Sequence, residues 1–141
     1  MNADSPVAAV VVEVANVMGA RADGWWRDRP GAALRLCREV AELAARGVRG
    51  HEQAVFVLIL EGRARDAAAR LGAPNHMVRV IKAPGSGDDM IVTETASLAA
   101  SGAPCLVVTA DRELRRRCEA NGARVVGPSW LLGLVRPVTL K

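Results

Sequence analysis

No two of the three cysteines, Cys37, Cys105 and Cys118, are spaced as a CxxC pair. An odd, scattered set argues against a disulfide frame and for reduced thiols in the cytoplasm. Zinc is disfavoured as well. Only His51 and His76 could complete a site, neither has ligand spacing, and both are expected as ordinary surface residues. The opening stretch MNADSP has no basic n-region, so no secretory signal is expected. The apolar run VAAVVVEVANVMGA contains Glu13 and is too short to span a bilayer. GxGxxG is missing after that run and GK[ST] is missing throughout, which speaks against dinucleotide and P-loop chemistry. A phosphatase with an aspartate nucleophile would want an acid two residues after the first, where Ala15 stands. Internal repeats, linkers and low-complexity tracts are also lacking.

The 141 residues suit one compact domain over 1–141. Aromatic residues make up only 3% of the chain, so the apolar half is mostly Ala, Val and Leu. A disordered chain would be poorer in such residues. The net charge is +4, and nearly all the basic residues are Arg, whose planar fork can hold phosphate bidentately. Composition alone does not decide for a nucleic-acid partner.

Val-rich runs alternate with Ala- and Arg-rich helical patterns. Strands are expected over 8–14, 54–60, 77–83, 104–110 and 123–127, the third near a sheet edge because it alternates. Helices are expected over 32–47, 63–71, 87–101, 112–121 and 128–135. Pro30 and Gly47 punctuate the first helix, and Asn121-Gly122 stops the fourth. Continuous apolar strands imply burial on both faces. The fold class that follows is α/β: a three-layer α/β/α sandwich around a parallel sheet of about five strands.

In such sheets the ligand site lies beyond the carboxyl ends of the strands, at the point where strand order reverses. Four of the expected strands deliver acid to that edge: Glu13 with Asn16 after the first, Glu61 after the second, Asp88 and Asp89 after the third, Asp111 after the fourth. A structural explanation exists for several of these. Ser86 and Asp89 fit a capping box, Asp111 fits a helix cap, and Glu61 could pair with Arg63 or Arg65. Glu13, inside a hydrophobic run, is the hardest to explain that way. Grouped carboxylates repel one another and call for compensation, which Mg²⁺ or Mn²⁺ supplies through oxygen ligands. The rim therefore suits metal-assisted phosphodiester hydrolysis, with Glu13, Asp88, Asp89 and Asp111 as metal and catalytic ligands.

The segments VVEVANVMG, LEGR, APGSGDDMIV, VVTADRELRRR and GARVVGPSWLL, in this order, resemble the NYN domains of the PIN-like ribonuclease superfamily, in particular small bacterial stand-alone members. The resemblance spans almost the whole chain. It implies a Rossmann-like sheet ordered 3-2-1-4-5 and a magnesium- or manganese-dependent endoribonuclease. It places Glu13 at the first metal-binding acid and Asn16 at a supporting polar position. It matches Asp88, Asp89 and Asp111 to the later acids. Two departures stand out: Glu13 replaces the usual Asp, and Val14 replaces the Gly after it. A catalytically weakened module that binds RNA or metal is the alternative they leave open.

On the substrate side, the segment MGARADGWWRDRPG (18–31) leaves the first strand at the site edge. Trp25 and Trp26 could stack on bases, while Arg27 and Arg29 hold phosphates; one Trp is expected on the core and one near the cleft. Arg112 opens an Arg-rich helix beside Asp111. Trp130 is expected in the core. The expected partner is single-stranded or structured RNA, with no membrane; a homodimer is left open.

Overall fold

The computed structural model describes residues 5–136. The expected domain over 1–141 and the stretch read for a signal therefore include residues 1–4 and 137–141, which lie outside the described residues. Five strands form one sheet: β1 (Ala9–Glu13), β2 (Val55–Leu60), β3 (Val78–Lys82), β4 (Cys105–Val108) and β5 (Arg124–Val126). All pairings are parallel, and the order is β3-β2-β1-β4-β5, as the sequence led one to expect, with β3 on an edge. The helices are α1 (Val14–Gly19), α2 (Arg29–Arg46), α3 (Ala67–Leu71), α4 (Gly87–Ala100), α5 (Arg112–Ala120) and α6 (Pro128–Leu132).

Strand periodicity explains the three layers. Side chains alternate between the two faces of a strand. Val10 and Val12 of β1 pack with Phe56, Leu58 and Leu60 of β2 against α1, α2, α3 and α6. Ala9 and Val11 pack with Val57, Ile59 and Val107 against Ile91 of α4 and Leu114 and Cys118 of α5. β1 and β4, sheathed on both sides, are buried at every position. Full burial of a Val, Leu or Ile side chain contributes about 1.5–3 kcal/mol, so the two cores are held chiefly by aliphatic side chains, with Phe56 the one fully buried aromatic ring among the described residues.

The expected boundaries shift where local chemistry intervenes. The strand expected over 8–14 ends at Glu13, and Val14 opens α1, because the chain turns into a helix directly at the carboxyl edge. α2 begins at Arg29, since Asp28 accepts the Gly31 N–H at 3.0 Å and caps it. A Cβ on Gly31 would lie 2.3 Å from an Asp28 carboxylate oxygen, so this cap needs a glycine there. Such a cap contributes about 1 kcal/mol. The helix expected over 63–71 starts as a 3₁₀ turn over Gly62–Asp66, and α6 stops at Leu132. His51 departs from its expected surface role: it is half-buried, its Nδ1 accepts the Val7 N–H at 3.1 Å, and its ring meets Trp130 edge-on at 6.5 Å. Trp130 is only half-buried, packed against the core rather than inside it. All three cysteines are free and buried. No helix among the described residues is long and apolar enough to cross a membrane.

Candidate functional site

In the order β3-β2-β1-β4-β5 the chain crosses from one half of the sheet to the other between β1 and β4. The crevice at the carboxyl ends of those two strands is the topological switch point. Strand register then decides what stands there. Val12 pairs with Val108, so the next residues, Glu13 and Thr109, are neighbours. Both continue the alternation of the face covered by α4 and α5, as does Glu61 beyond Ile59 on β2. The sheet thus presents Glu13, Thr109 and Glu61 to the N-terminal ends of α4 and α5.

Glu13 is 6% exposed. Its Oε1 accepts the Thr109 hydroxyl at 2.6 Å. The same hydroxyl oxygen accepts the Asp111 N–H at 3.0 Å, which ties the start of α5 to the carboxylate. The Glu13 pKa is pushed from 4.5 up to about 8, first by burial and then by a side-chain hydrogen bond with Asp88; the Thr109 hydroxyl opposes the rise, and the negative charges of Asp88 and Glu61 contribute to it. In chemical terms, three carboxylates converge on a buried point, and a proton on Glu13 relieves the repulsion.

Glu61 does not pair with Arg63 or Arg65. Its Oε2 accepts the Gly87 N–H at 2.6 Å, the first free N–H of α4. A Cβ on Gly87 would come 2.9 Å from the Glu61 Cδ, so the glycine makes room for the carboxylate. Arg65 instead donates to the Gly62 and Ala83 carbonyls. With α4 seated on Glu61, its first turn carries Asp88 inward and Asp89 outward. Ser86 caps the helix by accepting the Asp89 N–H at 3.1 Å. The Asp89 carboxylate meets Arg117 of α5 at 2.9 Å, its side chain 74% exposed. The adjacent aspartates are therefore not equivalent.

Asp111 accepts the Leu114 N–H at 3.0 Å and caps α5, so the capping expectation holds for it, and Thr109 links it to Glu13. Asn16, on α1, accepts the Ala110 N–H at 2.8 Å and pins the exit of β4 to α1. Trp25 is half-buried against the core, with the Arg29 guanidinium 5.4 Å from its ring centre. Trp26 is exposed, with Arg27 at 5.6 Å. Arg112 is exposed on α5. The rest of that arginine run is engaged locally: Arg115 with Glu119, Arg116 with Glu113, Arg117 with Asp89.

Among the described residues, no three His, Cys, Asp or Glu side chains are grouped as a ready-made cage for a metal ion. Glu13 and Asp88 nevertheless offer what a hard divalent ion takes: oxygen donors, close together, with excess negative charge. Mg²⁺ usually binds through one or two carboxylates and keeps several waters. The pair fits that mode; of the other two acids, Asp89 is engaged by Arg117, and Asp111 accepts the Leu114 N–H with one of its two oxygens. Thr109 was missed by sequence reasoning. The signal was available: it stands two residues after Val107, at an inward-facing position, and is polar.

These features define an α/β/α sandwich with a parallel sheet ordered β3-β2-β1-β4-β5 and an acidic crevice at its switch point. The same fold occurs in Rae1 (YacP) from Bacillus subtilis. A point mutant of that protein superposes with a TM-score of 0.63 at 18% identity, covering 89% of this chain and 72% of the other. Another crystal structure of Rae1 gives 0.62 at 20% identity, covering 89% and 71%. At such identity the likeness is one of fold. No protein-family model matches the sequence, and no curated protein matches it.

Proposed function

We propose that the protein is a magnesium- or manganese-dependent ribonuclease that hydrolyses RNA phosphodiester bonds at the β1–β4 crevice. The observation that carries this reading is the place of Glu13: buried at the switch point, hydrogen-bonded to Thr109, and facing Asp88. The likeness of fold to Rae1 and the ordered resemblance to NYN domains support it. Glu13 and Asp88 would hold the ion. When bound there, a divalent cation supplies Lewis-acid polarisation of a phosphoryl oxygen and makes water a better nucleophile at neutral pH.

The chain's own residues prepare the crevice. Thr109 fixes the rotamer of Glu13 through the 2.6 Å hydrogen bond. Glu61 seats α4 so that Asp88 faces Glu13. Asn16 fixes the β4 exit, and Thr109 accepts the N–H that positions Asp111. The exposed Arg63, just beyond β2, and Arg112, just beyond β4, favour a phosphate backbone.

Purified protein incubated with an RNA panel should cleave with Mg²⁺ or Mn²⁺ and stop in EDTA, and Glu13→Gln should abolish cleavage. Absence of cleavage by the folded protein across the panel and both ions would contradict the proposal. A second reading, a weakened module that binds RNA or metal, draws on Glu13 being longer than the usual Asp and on the engagement of Asp89 by Arg117. Glu13→Asp separates the two: activity appearing only in that variant marks the natural protein as the weakened form.

A further inference from the structure

We infer that the cleft lined by Trp26 and Arg63 is a subsite for one unpaired nucleotide, which makes both specificity-determining residues. The inference rests on the nuclease reading for its substrate class. It concerns a different part of the surface.

The cleft holds about 190 Å³ and is lined by Trp26, Arg27, Asp28, Arg29, Pro30 and Arg63. Its two walls both pack on α2. Trp26 and Arg27 belong to the 3₁₀ turn over Trp25–Arg27, between α1 and α2, and α1 starts directly after Glu13. Arg63 lies two residues beyond Glu61, at the end of β2. The segments that form the cleft thus follow the strand ends of Glu13 and Glu61 along the chain, and the acids themselves do not line it.

Its chemistry is that of a nucleotide pocket. Trp26 is the one exposed large hydrophobic side chain among the described residues, at 58%. Nothing in the fold requires it there: Trp25, standing edge-on to it at 6.0 Å, already supplies the contact with the core. The Arg27 guanidinium lies 5.6 Å from the Trp26 ring centre, which steadies the indole as a flat platform. Three arginines face a single carboxylate, that of Asp28, one oxygen of which also accepts the Gly31 N–H. The surplus is positive and presented by planar guanidinium groups, which suit a phosphodiester. An exposed indole flanked by guanidinium groups takes a base by its π-face and the attached phosphate by its charge. In a duplex that face is covered by the neighbouring base pair, so the cleft selects unpaired over paired RNA. Arg112 is not part of this lining.

The test is binding measured in EDTA, where the metal-dependent step is silent. The probes are a dye-labelled oligouridylate and a blunt RNA duplex of the same length, followed by fluorescence anisotropy. The unpaired probe should bind more tightly than the duplex. Trp26→Ala should weaken it about tenfold, and Trp26→Phe should restore most of the loss. Arg63→Gln should lower the salt dependence of binding by about one phosphate contact. Both side chains are exposed, so thermal melting should stay near wild type. Equal binding of the two probes, or unchanged binding in both Trp26→Ala and Arg63→Gln, would overturn the subsite even if RNA is cleaved. Binding as described without cleavage would leave the subsite standing and sink the nuclease reading instead.

Discussion

The Thr109 hydroxyl donates to the buried Glu13 carboxylate at 2.6 Å, joining the ends of β1 and β4 at the switch point of the sheet. The same oxygen accepts the Asp111 N–H. Thr109→Val keeps the shape and removes both bonds. It leaves a buried carboxylate oxygen and a backbone N–H short of a partner, at a cost of about 1–3 kcal/mol. Denaturant unfolding should show that loss, and RNA cleavage should fall because Glu13 is no longer fixed. Thr109→Ser, which keeps the hydroxyl, should recover most of both.

Glu13 makes stability depend on pH in an unusual direction for an acid. Its pKa is about 8 in the fold and 4.5 as the ordinary value, so the folded protein holds a proton that the unfolded chain has released. The stabilising contribution is complete below about pH 4.5 and is lost as pH rises towards 8. The loss amounts to at most about 5 kcal/mol. Urea unfolding in EDTA at a series of pH values should show this decline, and Glu13→Gln should flatten it. Mn²⁺ should also flatten it, by favouring the ionised carboxylate.

Gly87→Ala tests the seat of α4. Alanine is the better helix former by about 1 kcal/mol, yet its Cβ would meet the Glu61 carboxylate. Displacing Glu61 breaks the 2.6 Å bond to the Gly87 N–H. The two effects oppose each other, so thermal melting should move little. Cleavage should drop, because Asp88 loses its alignment with Glu13. A variant as active as wild type would show that Glu61 does not position the helix.

Burial raises the Cys37 thiol to about 12 and the Cys118 thiol to about 11. Folded protein at pH 8 should resist alkylation by iodoacetamide at both sites, as read by peptide mass spectrometry. In denaturant all three cysteines should react. Rapid labelling of Cys37 in the native state would mean that α2 opens far more readily than its packing indicates.

The layered architecture was legible because the strands are continuous apolar runs and the helices are punctuated by Pro30, Gly47 and Gly122. Glu13 was legible for the same reason: a charge inside such a run has no structural excuse. Val14 was not, since nothing in its chemistry marks a strand that turns into a helix without a loop. The difference between Asp88 and Asp89 was also hidden. Adjacent helical residues point about 100° apart, and which one faces inward depends on how Glu61 seats α4 and where Arg117 falls on α5. Trp25 and Trp26 divided as expected, one against the core and one exposed, while Arg63 joined the cleft only through the folding of β2 against α2. His51 looked like a surface residue because its partner, the Val7 N–H, is 44 positions away.

The account depends most on Glu13 and Asp88 sharing a divalent ion while Asp89 does not. Mn²⁺ binding, followed by electron paramagnetic resonance on wild type, Glu13→Gln, Asp88→Asn and Asp89→Asn, tests this directly. Wild type and Asp89→Asn should bind with similar affinity, and Glu13→Gln and Asp88→Asn should each lose at least about tenfold. No binding by wild type, or equal binding by all four proteins, would contradict it.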